Sequence, residues 1–398
     1  MIKERSVVSV GTDFRMPEVF RFGVGSLSTL VDSIEKFDAK RVAIISDKGL
    51  EKAGLVNKVT ALLKPLPISL VTYTNISGEP TFQMLQDAVQ VIESENCDLI
   101  VGIGGGSALD VAKATAALCG KENLSPYISG ERTIEARSIN CILLPTTSGT
   151  GSEVTMNAIF GDENQGVKRG IVSPVLLPDV AIIDPELTLS CPPRVTAASG
   201  VDALTHAIES YISTKATPLT RIYSEKAIRL FPSHITKAVH YGNDIEARTG
   251  MSWVSSLAGV GLANAGVGAV HALAYPLGGQ YHIEHGVANA LLMPFVFEVI
   301  GTACLEDIKD ITALLGIGDS HVRQQDSLDV LVDYLYNLLV DLDLPTSLSQ
   351  LGVPEESLPV LAEQASKIDR LLQNTPYNLG EQKILKIYQN AFRGKGGE

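Results

Sequence analysis

The chain has 398 residues, of which 45% are hydrophobic, and a formal net charge of −13. That length is typical of two domains, and the apolar content is sufficient for a packed core. The acidic balance argues against a nucleic-acid-binding protein, because contacts with phosphate require clustered Lys and Arg.

The five cysteines are odd in number, lie far apart and form no CxxC pair. They indicate neither a disulfide framework nor a zinc ribbon, and we expect a protein of the reducing cytoplasm. The N-terminus, MIKERSVVSVGTDF, contains no apolar h-region, so we expect no signal peptide.

The first part of the chain alternates short β-rich runs with helical stretches. The predicted strands are 41–46, 68–73, 98–104 and 140–145, and the predicted helices include 81–94 and 107–118. This alternation is typical of parallel βαβ units, and the continuously apolar run IVGIG indicates a strand covered on both faces. We therefore predict a Rossmann-like, doubly wound α/β domain with a mostly parallel sheet over residues 1–190.

Asp47 follows the first predicted strand, where a carboxylate can accept hydrogen bonds from an adenosine ribose. Its charge would repel a 2′-phosphate, so this position favours NAD over NADP. An Asp that caps the following helix is the alternative interpretation.

Three glycines, Gly104 to Gly106, follow the strand 98–104 and precede a helix that Ser107 opens. Glycine allows a sharp turn and the close approach of a pyrophosphate, and the N–H groups at a helix start attract anions. The motif is not GxGxxG, so an ordinary tight turn is the alternative.

A row of hydroxyl groups and glycines, PTTSGTGSEVT, covers residues 145–155 beside the end of another predicted strand. Such a row can line a nicotinamide pocket or form a plain Ser/Thr-rich loop.

After Asp184 the strand patterns end, and CPPRVTAAS breaks the chain before long helical patterns. Residues 191–398 are therefore predicted to form an all-α domain that binds metal and carries catalysis.

Asp202 and His206 lie four residues apart in GVDALTHAIES, so both point from one face of a helix. His271 and His285 follow in GAVHALAYP and IEHGVAN. Three imidazoles and one carboxylate suit a borderline divalent cation such as Fe²⁺ or Zn²⁺. On spacing alone, each histidine is more often a packed or surface residue than a ligand. The hypothesis therefore requires that folding bring all four side chains together.

The stretch 249–283 is uncharged and long enough to suggest a membrane span. Asn264, His271 and Gln280 interrupt it, and Pro276 with the following glycines predicts a turn. We interpret it as buried helices of a soluble domain, with no membrane association.

Together these motifs resemble the iron-dependent, or group III, alcohol dehydrogenases. The resemblance rests on GGGSALDVAKA, LPTTSGTGSEVT, LLPDVAIIDPELT, SGVDALTHAIESY, AVHALAYPLGG and HGVANALLMP. It covers nearly the whole chain, and several independent motifs in the family's order make it specific.

The resemblance implies that the metal ligands are Asp202, His206, His271 and His285. It implies NAD contacts at Asp47, Gly104, Gly105, Gly106, Ser107, Asp110, Thr146, Thr147, Thr150, Asn157 and Lys168. It also implies Fe²⁺ as the metal, with Zn²⁺ as the alternative, NAD as the cofactor, and a homodimer.

Members of this family often have a histidine four residues after the third metal ligand, and this chain has Tyr275 there. Tyr275 is therefore a candidate catalytic residue. His282, three residues before His285, is a second candidate because its unperturbed pKa of about 6.5 suits a proton shuttle. A solvent-exposed loop histidine is the alternative for His282.

The predicted function is a metal-dependent, NAD(H)-linked oxidoreductase that interconverts a small primary or secondary alcohol, or a hydroxy acid, and its aldehyde or ketone. The phrase AGVGLANAGVGAVH also resembles the hydroxyacid-oxoacid transhydrogenases, which keep their nicotinamide bound. A glycerol dehydrogenase-like polyol oxidoreductase is another alternative. The non-enzyme alternative is a nucleotide-binding module whose histidines only pack.

Overall fold

The computed structural model describes residues 11–162, 167–318 and 323–395. The chain divides into two compact units, Arg15–Cys191 and a second unit that begins at Pro192 and includes the segment ending at Phe14. The start of the chain, expected to contain no signal peptide, lies mostly outside the described residues, as do residues 396–398.

The first unit contains all the strands of the described chain. The strands are β1 Val19–Phe22, β2 Arg41–Ile45, β3 Ser69–Tyr73, β4 Leu99–Gly104, β5 Asn140–Pro145, β6 Asn157–Asp162, β7 Val167–Val172 and β8 Val180–Ile183. Its helices are α1 Leu30–Lys36, α2 Lys48–Lys52, α3 Leu55–Leu63, α4 Phe82–Ser94, α5 Gly106–Leu118 and α6 Ser125–Ile128.

Six of these strands form one parallel sheet in the order β1-β8-β5-β4-β2-β3. From β2 the chain passes first to β3 on one side and then to β4 on the other, so the winding direction reverses between β2 and β4. In open α/β sheets, ligands bind beyond the carboxyl ends of the strands at such a reversal. Asp47 follows β2 and Gly105 follows β4 at this position.

Alternate residues along each central strand enter separate apolar cores on the two faces of the sheet. In β4, Ile100 packs with the side chains of α4 and α5, whereas Leu99, Val101 and Ile103 pack with those of α1 and α3. A strand buried on both faces must be apolar throughout, which explains the run IVGIG. The predicted doubly wound α/β architecture is confirmed.

All four predicted strands and both predicted helices of this unit are present, with ends within two residues of the prediction. The sequence did not reveal β1 and β8, which contain only four residues each, or the antiparallel pair β6 and β7. A four-residue segment shows too little periodicity to be distinguished from a loop. β6 and β7 are longer, but a glycine and charged residues interrupt the apolar pattern of each.

The second unit is helical throughout its described part, as predicted. Its helices are α7 Pro193–Ile212, α8 Pro218–His240, α9 Ile245–Ala265, α10 Ala269–Tyr281, α11 His285–Ile300, α12 Leu305–Leu314, α13 Gln324–Asp341, α14 Leu358–Ser366, α15 Asp369–Leu372 and α16 Glu381–Arg393. One continuous apolar core joins α7 to α16. Phe14 stacks on Tyr223 of α8, with 5.4 Å between the ring centroids.

The turn predicted at Pro276 is wrong, because Pro276 and both following glycines lie inside α10. Proline removes one backbone hydrogen bond from a helix, and glycine weakens it further. The helix persists because nearly every residue from Ala269 to Gly278 is buried, so packing outweighs local preference.

By length and composition alone, the segment His285–Ala303 could cross a membrane, but 72% of it is buried inside the protein. The pair α9 and α10 passes the same test jointly and is bent by 101°. Core helices of folded domains also pass this test, which agrees with the interpretation of 249–283 as buried helices.

We expect Gly102→Ala to destabilise the first unit. An added Cβ would lie 2.6 Å from Ala112 Cβ and 2.7 Å from Leu143 Cδ2, where α5 approaches the sheet. Overpacking of this kind costs about 1–3 kcal/mol. Thermal and urea unfolding followed by circular dichroism measure the effect. Gly11→Ala is the control, because Gly11 is exposed, lies outside the helices and strands, and would carry a Cβ that meets nothing within 4 Å; equal stability of both variants would contradict the packing argument.

Candidate functional site

Four side chains of the helical unit form one compact polar cluster in its core. Each of Asp202, His206, His271 and His285 contributes one ligand-type atom, and these four atoms all lie within 4.8 Å of one another. Asp202 Oδ1 lies 3.7 Å from His206 Nε2, 3.8 Å from His271 Nε2 and 4.0 Å from His285 Nε2. The folded chain therefore brings together the four residues that the sequence suggested as one group.

Three helices position the cluster. Asp202 and His206 are one turn apart on α7, His271 lies in the first turn of α10, and His285 is the first residue of α11. The rings of His206 and His271 stack with 4.7 Å between their centroids. Asp202, His206 and His271 are buried, and His285 is half-buried, so the group is accessible mainly beside His285.

The cluster holds Asp202 in its ionised form. Burial raises the pKa of this carboxyl group, but His206, His285, His271 and a hydrogen bond from Asn289 lower it, and the net pKa lies below its ordinary value. The site therefore provides a buried negative charge surrounded by imidazole nitrogens.

This donor set fits a divalent cation. Atoms that each lie about 2.1 Å from one cation are at most about 4.2 Å apart, and the three distances from Asp202 satisfy that limit. The remaining separations among the four atoms are at most 4.8 Å. Three nitrogens and one carboxylate oxygen suit Fe²⁺ or Zn²⁺ better than the all-oxygen shells of Ca²⁺ or Mg²⁺.

Two further buried residues contact the cluster, and neither was predicted from the sequence. Asn289 Nδ2 lies 2.7 Å from Asp202 Oδ1 and 3.1 Å from Nε2 of both His271 and His285. Glu209 Oε2 accepts a 2.7 Å hydrogen bond from His271 Nδ1.

Spacing could have revealed both residues. Glu209 follows Asp202 by seven residues on α7, two turns along the same face, and Asn289 follows His285 by four residues on α11. Because spacing of this kind is common in helices, only the contact with a histidine shows that these two side chains belong to the site.

The glycine turn of the first unit forms the start of α5. Gly105 to Ser107 are half-buried, and the N–H groups of this first turn have no helical partner. A Cβ on Gly105 would lie 3.4 Å from Thr147 Cγ2, and one on Gly106 would lie 2.7 Å from Thr150 Cγ2. Glycine is therefore required at position 106 for the close approach of residues 145–155, which we call the threonine loop. The turn fits a phosphate group.

Asp47 borders this turn. Its Oδ1 accepts a hydrogen bond from Leu50 N and thereby caps α2, which is the alternative that the sequence left open. Its Oδ2 lies 3.7 Å from the position that a Cβ on Gly104 would occupy. The carboxylate thus lies beside the glycine turn, at the reversal of the sheet, as a ribose contact would require.

A buried ion pair supports the threonine loop. Asp110 accepts hydrogen bonds from Ser152 Oγ at 2.5 Å and Ile159 N at 2.8 Å, and lies 3.2 Å from Lys113 Nζ. Lys113 donates to Ser152 O and Thr155 Oγ1. Burial lowers the pKa of Lys113, and Asp110 opposes that shift. In this structure both Asp110 carboxylate oxygens contact protein groups, so Asp110 holds the loop in place.

The remaining predicted cofactor residues lie in the same unit. Thr146 N donates to Gly104 O at 2.9 Å, which joins the loop to the turn. Asn157 begins β6, and Lys168 on β7 pairs with Glu79 at 2.6 Å with only 5% of its side chain exposed. Contact of Asn157 and Lys168 with NAD stays a prediction.

The two candidate catalytic residues have different surroundings. Tyr275 lies one turn after His271 on α10, is buried, and has its ring centroid 6.2 Å from that of His285. His282 is exposed and ends α10 in a left-handed conformation, with φ 54°. Tyr275 therefore adjoins the cluster, whereas His282 has the exposure of the alternative interpretation. The catalytic role of each stays a prediction.

Comparison with known proteins agrees with this geometry. Residues 17–185 match the model of the iron-containing alcohol dehydrogenases, and residues 196–392 match that of the C-terminal part of the Fe-containing alcohol dehydrogenase family.

Individual proteins match along almost the entire chain. Long-chain-alcohol dehydrogenase 1 of Geobacillus thermodenitrificans is 42% identical, over 95% of this chain and 96% of that protein. NAD-dependent methanol dehydrogenase of Bacillus methanolicus is 32% identical, over 96% of this chain and 100% of that protein. A crystal structure of 1,3-propanediol oxidoreductase superimposes with a TM-score of 0.92 at 35% identity, over 96% of this chain and 100% of that one.

We expect His271→Ala to abolish retention of a divalent metal, because it removes one nitrogen ligand. It also removes the N–H group that donates a hydrogen bond to Glu209 Oε2. The loss of affinity should exceed the roughly 10–100-fold effect typical of removing an outer partner. Metal content after loading with Fe²⁺ without oxygen, or with Zn²⁺, and desalting measures it. His240→Ala, at an exposed histidine ending α8, should retain metal; full metal content in His271→Ala would remove this ligand from the site.

Proposed function

The chain belongs to the iron-containing alcohol dehydrogenase family, and from that premise we propose that it interconverts primary alcohols and aldehydes with NAD(H), using a divalent metal held by the cluster. The single observation that carries the proposal is the convergence of Asp202, His206, His271 and His285 in the helical core. The chain is an enzyme of the alcohol dehydrogenase type, so the alternative of a nucleotide-binding module without catalysis is excluded by its family.

Each unit supplies one requirement of such a reaction. We assign NAD binding to the first unit, where Asp47 faces the adenosine ribose and the start of α5 binds the pyrophosphate. The threonine loop, held by Asp110 and Lys113, lines the nicotinamide. We assign metal binding and catalysis to the second unit. The name of the methanol dehydrogenase relative supports NAD as the cofactor.

A bound divalent cation would supply Lewis acidity toward a substrate oxygen, and the nicotinamide would accept or donate the hydride. The protein's own part is to exclude water and orient these groups. His285, the half-buried member of the cluster, marks the side from which substrate enters. Tyr275, packed beside His285, orients the substrate by its ring and hydroxyl group.

The substrate class follows from relatives and from the surroundings of the cluster. The relatives are named for long-chain alcohols, methanol and 1,3-propanediol, and the hydroxyl groups of the last two are all primary. In this chain the buried aromatic ring of Tyr275 lies beside His285, with 6.2 Å between the ring centroids. We therefore propose a primary alcohol with an apolar chain in preference to a hydroxy acid.

We also propose that the enzyme works as a homodimer in the cytoplasm on small molecules, without binding nucleic acid or membranes. The net charge of −13 supports the exclusion of nucleic acid. All five cysteines lie in the described part of the chain and none forms a disulfide, which supports a reducing compartment. Light scattering after size-exclusion chromatography tests the assembly.

The proposed function predicts metal-dependent formation of free NADH. The metal-loaded enzyme is mixed with NAD and primary alcohols of increasing chain length, and absorbance at the NADH band is followed. We expect turnover that a chelator abolishes and that Fe²⁺ or Zn²⁺ restores. Turnover only when an oxo acid is added as hydride acceptor would instead indicate a transhydrogenase, and turnover unaffected by chelation would contradict the proposed metal.

Asp47→Gly tests the assigned coenzyme preference. Removing the carboxylate removes both the ribose hydrogen bonds and the repulsion of a 2′-phosphate, so kcat/KM with NADP should rise relative to NAD by about 10-fold or more. Ratios of kcat/KM measured with both coenzymes at one alcohol concentration provide the comparison. Asp38→Gly, at an exposed carboxylate of the same unit whose positive φ suits glycine, is the control, and an unchanged ratio in Asp47→Gly rejects the ribose role.

A further inference from the structure

Glu209 occupies a closed polar pocket behind the cluster of Asp202, His206, His271 and His285. Its side chain is 1% exposed, so water cannot replace its partners. Three N–H groups converge on its carboxylate: Oε2 accepts from His271 Nδ1 at 2.7 Å and Gly268 N at 3.0 Å, and Oε1 accepts from Val270 N at 2.7 Å. All three donors belong to one short segment at the start of α10.

These contacts determine which nitrogen of His271 carries a proton. A carboxylate that receives three N–H donors acts only as an acceptor, so His271 Nδ1 must be protonated. In the neutral ring, Nε2 then keeps its lone pair. Nε2 is the atom that faces Asp202 Oδ1, 3.8 Å away, so the ring presents a ligand atom to the cluster.

We propose that Glu209 is the positioning residue of the metal centre: it fixes the tautomer and orientation of His271, and its charge helps to stabilise a divalent cation. The inference rests on the proposed metal site. With Asp202, the carboxylate contributes a second buried negative charge, and two such charges balance a doubly charged cation.

The local backbone is built around this carboxylate. A Cβ on Gly268 would lie 3.3 Å from Glu209 Oε1 and 2.7 Å from Thr375 Oγ1, so only glycine leaves room for the contact. Glu209 also satisfies two backbone N–H groups at the start of α10, which lack helical partners. The residue thus has a structural role as a helix cap, and a test must separate the two roles.

Glu209→Gln is the informative substitution, since it keeps the size of the side chain. A glutamine has one acceptor oxygen and a donor NH₂ group in place of two acceptors, so it cannot serve all three N–H groups, and it has no charge. Asp244→Ala is the matched control. Asp244 caps α9 of the same unit by accepting from Ala247 N, and it is outside the cluster.

The experiment measures metal affinity directly, without coenzyme or substrate. Zn²⁺ is titrated against a chromophoric chelator in wild type, Glu209→Gln and Asp244→Ala, and the melting temperature of each chelated protein is recorded. We expect about 10–100-fold weaker Zn²⁺ binding in Glu209→Gln and unchanged binding in Asp244→Ala. Both variants should lose some thermal stability, because both lose a helix cap.

A spectroscopic measurement identifies the tautomer. In the Co²⁺-substituted protein, each histidine that binds through Nε2 has an exchangeable Nδ1 proton whose NMR signal is strongly shifted by the paramagnetic ion. We expect the signal of His271 to move or disappear in Glu209→Gln while those of the other ligands persist. Asp244→Ala should retain the wild-type pattern.

Unchanged Zn²⁺ affinity and an unchanged proton spectrum in Glu209→Gln, with only a lowered melting temperature, would overturn the inference and leave Glu209 a helix cap. If Glu209→Gln fails to fold, Glu209→Asp provides a second test, since it keeps the charge but shortens the side chain by one methylene group, which withdraws the carboxylate from His271 Nδ1 and should weaken Zn²⁺ binding. Equal affinity in a folded Glu209→Asp would likewise overturn it. Failure of the wild type to bind Zn²⁺ or Fe²⁺ would instead contradict the proposed function.

Discussion

Burying charged and polar groups without water is the constraint on which the helical unit depends. Asp202 is buried with three imidazoles, and burying such a group costs free energy unless hydrogen bonds and opposite charges compensate it. Asn289 and Glu209 provide part of this compensation from behind the cluster. The cluster is accessible mainly on the side of half-buried His285. The need to compensate buried charge therefore makes the inner side of the cluster rigid and leaves the side near His285 open.

The first unit compensates its buried polar groups in a different way. Its glycine turn leaves the backbone N–H groups at the start of α5 without helical partners, and the absence of a side chain at Gly106 lets the threonine loop lie against them. From its composition alone, which is rich in hydroxyl groups and glycine, this loop is expected to be flexible. Lys113 and Asp110, one turn apart on buried α5, bind it through Ser152 and thereby give it a defined position. A buried ion pair here has a positioning role, since such pairs contribute little net stability.

Much of this arrangement was predictable because it is local. The strand-and-helix alternation of the first unit, the glycine turn, and the pairing of Asp202 with His206 on one helix all follow from short-range periodicity. The same reasoning failed at Pro276, where burial on α10 outweighs a strong local preference for a turn. The role of Glu209 was not predicted either, because a glutamate in a helix is common and only the folded chain shows that it contacts His271.

The sequence by itself determined the family, the fold class and the set of residue types available for metal and dinucleotide binding. Motifs and periodic apolar patterns depend only on which residues lie near each other along the chain. Only the tertiary structure decided that His271 and His285 meet the pair on α7, that the carboxylate of Glu209 faces His271 Nδ1, and that Asp110 binds a loop. The physical reason is that these contacts join residues from about 40 to over 80 positions apart, and their geometry is set by how helices and strands pack together.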